Sequence, residues 1–275
     1  MSGSAPAQVV AGGHAPTPPR KFPTLHRFVR ERPFTVAGLV TLSYMAALAA
    51  WQLIDADVGG GRSDHRLLEH GVNATRVLLP AVALTVMGWW RPAGFLRRPT
   101  WSSTAPFLPL LVLPALPVLF GPGIVAGDGA GLAMLVLTML AVGFGEEATF
   151  RGVVLRSLTS RGAKAAAAVS ACMFGALHLV NLLQGRNVGD VVFQVLSTAG
   201  IGFGFAAAAL VTGAIWPLVL IHTAMNLANG LQGATLAQAG APPGADIANG
   251  LVNLALGALV AAYGYWLLQR RTRPG

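Results

Sequence analysis

Long apolar runs dominate the chain, and short basic or Gly/Pro-rich segments interrupt them. Runs of spanning length fall at 34–54, 72–90, 105–126, 131–158, 163–183, 191–212, 214–230 and 247–268. A helix needs about 20 apolar residues to cross the hydrocarbon core. The pattern therefore predicts an all-α fold, a polytopic transmembrane bundle of about eight helices. Two runs are weaker than the others: the second opens with Asn73 and Arg76 and contains Pro80, and the seventh is short and contains Pro217. Residues 1–22 show no periodicity and no apolar h-region, which excludes a signal peptide and predicts a disordered tail.

Composition agrees with lipid as the solvent. Only 11% of residues are charged and 54% are hydrophobic, against roughly 25% charged in a soluble domain. The net charge of +9 does not point to nucleic acid, because the bases fall in clusters between apolar runs without aromatic interleaving. Instead they report topology. With a cytoplasmic N-terminus, fourteen Lys and Arg lie inside and four (Arg62, Arg66, Arg76, Arg186) outside, leaving Arg151 within a helix. The positive-inside rule then places both termini in the cytoplasm. Trp89, Trp90, Trp101 and Trp266 fall near the expected interfaces. Cys172 reads as a small packed hydrophobe. Gly200-Ile-Gly-Phe-Gly204 reads as a close helix contact rather than a phosphate loop, since no strand precedes it. No repeat supports the internal symmetry of a transporter.

These boundaries divide the chain into a basic tail (1–32), three accessory helices (33–128), a four-helix core (129–230), and an outer loop with the last helix and basic C-terminus (231–275).

Chemistry enters with the polar residues that lipid should exclude. Glu146, Glu147 and Arg151 fall in the fourth run, His178 in the fifth, and His222 and Asn226 in the seventh. Each ionised side chain at the bilayer centre costs about 2.5–3.5 kcal/mol, so the set persists only if it pairs, lines a wet cavity or works. Glu147 and Arg151 are four apart and share a helix face, as do His222 and Asn226. Glu146 lies about 100° round the helix from Glu147 and is left over. Glu146 and His178 are each sixteen positions from Gly162, so an antiparallel hairpin brings them level. A carboxylate facing an imidazole in a dry site can hold and deprotonate a water. Two His and a carboxylate (Glu146, His178, His222) are also legitimate zinc ligands. His-Glu-x-x-His is absent, and Ser170, Ser197 and Cys172 have no base aimed at them.

Three motifs stand in order: Glu146-Glu147-x-x-x-Arg151, Phe174-x-x-x-His178 and His222-x-x-x-Asn226. Together they resemble the CAAX-protease and bacteriocin-processing (CPBP) family of intramembrane peptidases, which includes the type II CAAX prenyl endopeptidases. The resemblance covers roughly residues 131–230. It implies that Glu146 and His178 activate the attacking water and that His222 and Asn226 stabilise the oxyanion. Glu147 and Arg151 would then hold the helix face, with Phe174 packing beneath His178. The family is often labelled metalloprotease; a metal-free glutamate mechanism suits the same residues. The Ala-, Gly- and Arg-rich composition is that of a high-GC bacterial chain. The expected location is the bacterial cytoplasmic membrane, and the expected partners are lipid and a membrane-associated peptide or protein substrate rather than a prenylated one. Two other readings share these residues, a non-catalytic scaffold or immunity protein on the same fold and a proton-coupled carrier.

Overall fold

The computed structural model describes residues 23–58, 65–98, 100–121, 129–238 and 247–272. All regular structure among them is helical. The order is α1 (Pro23–Glu31), α2 (Pro33–Val58), α3 (His65–Met87), α4 (Trp101–Thr104), a 3-10 segment (Ala105–Leu111) and α5 (Val112–Phe120). After the undescribed residues 122–128 come α6 (Gly129–Glu147), a π-helical turn (Ala148–Val154), α7 (Leu155–Leu158) and a 3-10 turn (Thr159–Arg161). Then follow α8 (Ala163–Leu177), a 3-10 segment (His178–Gln184), α9 (Val188–Thr212), α10 (Trp216–Gln238) and α11 (Ile247–Thr272).

Five segments among the described residues are long and apolar enough to cross a membrane: Pro33–Ile54, Gly129–Arg161, Ala163–Gln184, Val188–Thr212 and Ile247–Arg270. Helices α3 and α10 have 23 residues each but a more diluted apolar character. Their diluting residues include Glu69, Asn73 and Arg76 on α3 and His222 and Asn226 on α10. The outer surface is apolar: Leu42, Leu78, Leu119, Phe120, Leu251 and Leu259 all stand exposed. A soluble protein would bury such residues, whereas lipid solvates them.

Two helices begin or continue through proline without breaking. Pro217 sits in the first turn of α10, where the missing N–H costs nothing. Pro80 lies inside α3 and deprives the Arg76 carbonyl of its helical donor. A methyl group at Gly145 would strike that Arg76 carbonyl, so α6 approaches α3 backbone to backbone one residue before Glu146. The prolines mark a junction, not a boundary.

Helices α9 and α11 meet through the glycines singled out in the sequence. A Cβ at Gly200 would collide with the Gly257 carbonyl, one at Gly257 with Ser197, and one at Gly264 with Gly204. Phe150, Phe174, Leu158 and the alanines of α8 and α9 fill the core beside this seam, with Tyr44 from α2 edge-on to Phe150 at 6.4 Å.

Three expectations change. Residues 23–31, assigned to the tail, form α1, because its apolar side docks Val29 into a cluster with Trp89 and Phe95; the disorder expected over 1–22 lies outside the described residues. Cys172 is exposed on α8 rather than packed, since the buried face of that helix is made by Ala171, Phe174 and Gly175. Trp89 is buried against His26 and does not project to an interface.

The glycine seam yields a paired prediction. Gly200→Leu or Gly257→Leu should destabilise the detergent-solubilised protein by about 1–3 kcal/mol or more, as overpacking does. Gly38→Ala, where an added methyl meets nothing within 4 Å, should leave the thermal unfolding curve in place.

Candidate active site

The site grows out of a change in helical pitch. Helix α6 delivers Glu146 and Glu147 at its end, and the chain then widens into the π turn, where the Leu155 N–H bonds the Phe150 carbonyl five residues back. Single π turns recur at functional sites because they re-aim side chains at the cost of poorer backbone geometry. Every residue from Ala148 to Val154 is buried. Ser170 of α8 donates to the Phe150 carbonyl at 2.9 Å and clamps the turn to its neighbour.

Arg151, only 3% exposed, donates from Nη1 to Glu147 Oε1 at 3.0 Å and from Nη2 to the Gly202 carbonyl at 3.3 Å. The same Glu147 oxygen accepts from His222 Nδ1 at 2.9 Å. A carboxylate only accepts, so Nδ1 carries a proton, and Nε2 is the nitrogen turned to Glu146. That Nε2 lies 3.6 Å from Glu146 Oε2. One carboxylate therefore braces α6, α9 and α10 together, and the other stands against the imidazole edge that the first has oriented.

His178 sits where α8 tightens into the 3-10 segment. The His178 backbone N–H bonds the Ala176 and Gly175 carbonyls, so the Phe174 carbonyl is left to the side chain, which meets it with Nδ1 at 3.1 Å. Carbonyls accept, so His178 too is protonated on Nδ1 and presents Nε2. Thr198 Oγ1, spending its own proton on the Gln194 carbonyl, lies 3.4 Å from the same Nδ1. Phe174 stands edge-on to both rings, with centroids 5.4 Å from His178 and 5.9 Å from His222, and the Arg151 guanidinium lies over its face at 4.3 Å. Phe174 thus does more than pack beneath His178. It contacts His178, His222 and Arg151.

Glu146 and His178 line one small cavity together with Gln52, Arg76, Asn181 and Gln184. The hairpin argument holds: the two residues equidistant from Gly162 do meet at one cavity. Asn226 lies one turn beyond His222 on α10 and is half-buried; no hydrogen bond from it is found among the described residues.

Arg76 was missed. Counted with the outside loops by its position before a proline-containing run, it lies within α3 and faces the cavity. Its Nη1 donates to Asn73 Oδ1 at 3.0 Å, Asn73 Nδ2 donates to Thr138 Oγ1 at 2.8 Å, and Thr138 donates to Glu69 Oε1 at 2.9 Å. Asn73 and Arg76 at helical spacing inside an apolar run are the legible signal, taken above only as a weakness of the second run. With Arg76 included, two carboxylates (Glu146, Glu147) face two guanidiniums (Arg76, Arg151), and charge balances within the interior. Such balance is what allows buried ions to persist.

Among the described residues no group of three or more His, Cys, Asp and Glu side chains is disposed to hold a metal ion. Glu147 orients His222 and a backbone carbonyl orients His178, each through Nδ1.

Fold and site together define a multi-pass helical membrane protein with a carboxylate–imidazole centre inside it. Residues 128–228 match the family model described as type II CAAX prenyl endopeptidase Rce1-like, which supports a protease. This segment runs from just before α6 into α10 and contains all three motifs, so the domain recognised by its residues is the domain that builds the centre. No curated protein matches the chain.

Removing one partner of a fully buried ion pair typically costs about 3–5 kcal/mol, because the other charge is stranded. Arg151→Met should therefore lower the unfolding midpoint strongly. Arg27→Met should hardly move it, since the Arg27–Glu31 pair is exposed on α1. Thermal unfolding in detergent compares them directly.

Proposed function

We propose that the protein is an intramembrane endopeptidase that hydrolyses a peptide bond of a membrane-associated peptide or protein. The observation that carries this reading is the meeting of Glu146 and His178 at one cavity, with His222 Nε2 close to Glu146. In the reading, a water lies between the Glu146 carboxylate and His178 Nε2. Glu146 takes a proton from it as the oxygen attacks the scissile carbonyl carbon. The carbonyl π-electrons move onto oxygen, and His222 and Asn226 hold the resulting oxyanion. When His222 donates from Nε2, its ring carries a proton on each nitrogen, with Glu147 facing the other. The proton held by Glu146 then passes to the leaving amine as the C–N bond breaks. Glu147, Arg151 and Phe174 position these groups without touching substrate.

General-base groups contribute about 10²–10⁴-fold and an oxyanion donor about 10²–10³-fold. Glu146→Ala and His178→Ala should each abolish detectable cleavage of a membrane peptide library, and Asn226→Ala should retain a measurable residue. His178→Ala and Asn226→Ala should keep the wild-type melting temperature, whereas Glu146→Ala, which removes one of the two interior carboxylates, should lower it. Turnover by Glu146→Ala equal to wild type would eliminate the mechanism, and normal cellular function with Glu146 and His178 both replaced would favour a scaffold.

The proposed orientation has eight membrane-crossing helices in the bacterial cytoplasmic membrane, with both termini cytoplasmic. Its support is the concentration of Arg and Lys at residues 20–32, 91–98, 156–164 and 270–273. A green fluorescent protein fused after residue 275 should fluoresce, and alkaline phosphatase fused at residue 186 should be active. The reverse pair of results would invert the topology.

A further inference from the structure

A second cavity lies apart from the one holding Glu146 and His178. It has a volume of about 450 Å³ and lies at the other end of the α6–α7 segment, beside the Thr159–Arg161 turn. Three arginines line it (Arg97, Arg151 and Arg156) and no acidic residue does. Arg97 and Arg156 are exposed at its rim, whereas Arg151 is 3% exposed. Neither rim arginine has an acidic partner among the described residues, and Arg151, though its Nη atoms are engaged, keeps a buried Nε without a hydrogen-bond partner.

The backbone adds to this field. Ala163, the first residue of α8, lines the cavity, and Gly162 before it supplies no side-chain cap, so the first N–H groups of a 15-residue helix remain free for an anion. Glycine makes room for the rim. Gly213 closes α9 at φ 65°, and a side chain there would run into Arg97 Nη1; Gly94, at φ 97°, packs directly on the Gly213 carbonyl. Backbone is pressed against backbone in a way that holds Arg97 over the cavity.

Arg151 is paired with Glu147, so the excess charge of the cavity is that of Arg97 and Arg156, two guanidiniums whose mutual repulsion an anion between them would relieve. We infer that this cavity binds a phosphate-bearing anion, and that in the membrane this is the headgroup of an anionic phospholipid. Basic pockets between helices at the arginine-rich end of a membrane protein suit such headgroups. The volume exceeds what a bare phosphate fills, leaving room for the glycerol portion. Because Arg151 reaches from this cavity to Glu147, and Glu147 to His222, the lipid would fix the cation on which the catalytic brace depends.

The full-length chain is tested in phosphatidylcholine nanodiscs with a rising fraction of phosphatidylglycerol, and separately in detergent with inorganic phosphate against chloride at equal ionic strength. Native mass spectrometry reads lipid retained, and tryptophan fluorescence reads the melting temperature. Retention of phosphatidylglycerol should exceed that of phosphatidylcholine by roughly tenfold or more, and R97Q/R156Q should lose that preference. R97K/R156K, which keeps the charge, should retain most of it. An unchanged melting temperature of the glutamine variant in pure phosphatidylcholine separates lost binding from lost fold. Stabilisation by phosphatidylglycerol alone assigns the headgroup, and equal stabilisation by inorganic phosphate assigns a free anion of the same chemistry. No anion preference in either arm, or full preference in R97Q/R156Q, overturns the site.

Discussion

Glu147 Oε1 accepts hydrogen bonds from Arg151 Nη1 and His222 Nδ1 at once, in a position with no solvent exposure. In a medium of low dielectric a carboxylate so placed is tolerated only with its cation beside it, and the cation only with its carboxylate. The constraint is mutual, and it fixes three helices. Arg151 is further tied to the Gly202 carbonyl of α9, whose missing side chain lets Phe174 and the guanidinium approach. The brace thus determines where α10 sits and which nitrogen of His222 faces Glu146.

From that anchor the division of labour between the adjacent glutamates follows. They are neighbours in sequence but serve opposite surroundings. Glu147 is sealed among Arg151 and His222, while Glu146 borders a cavity shared with His178, Arg76, Gln52, Asn181 and Gln184. The step of about 100° round α6 separates their environments, and the 3-10 turn at His178 leaves the Phe174 carbonyl to the imidazole. Two of the four departures from regular α-helix among the described residues adjoin these groups.

Polarity inside this protein also explains its uneven helices. Those carrying only packing, such as α9 and α11, are strongly apolar and joined by glycine. Those carrying Arg76 or His222 are diluted in apolar character and are stabilised by internal hydrogen bonds, as in the relay from Glu69 through Thr138 and Asn73 to Arg76. The cost of placing ions in the membrane is offset locally, one partner at a time.

Much of this was legible in one dimension. Apolar runs located the helices, because length and hydropathy alone decide whether a segment suits lipid. The Glu147–Arg151 pair was legible because four residues along a helix is a fixed distance, and the levelling of Glu146 with His178 because a hairpin of rigid helices preserves counting from its turn. What counting cannot supply is which faces of non-adjacent helices meet. The bond from His222 to Glu147, the place of Arg76 at the cavity, the inward packing of Trp89 and the folding of residues 23–31 all depend on contacts between segments far apart in the chain. Those were decided by the packing of glycine seams and aromatic edges in three dimensions, where a single methyl group determines whether two backbones touch.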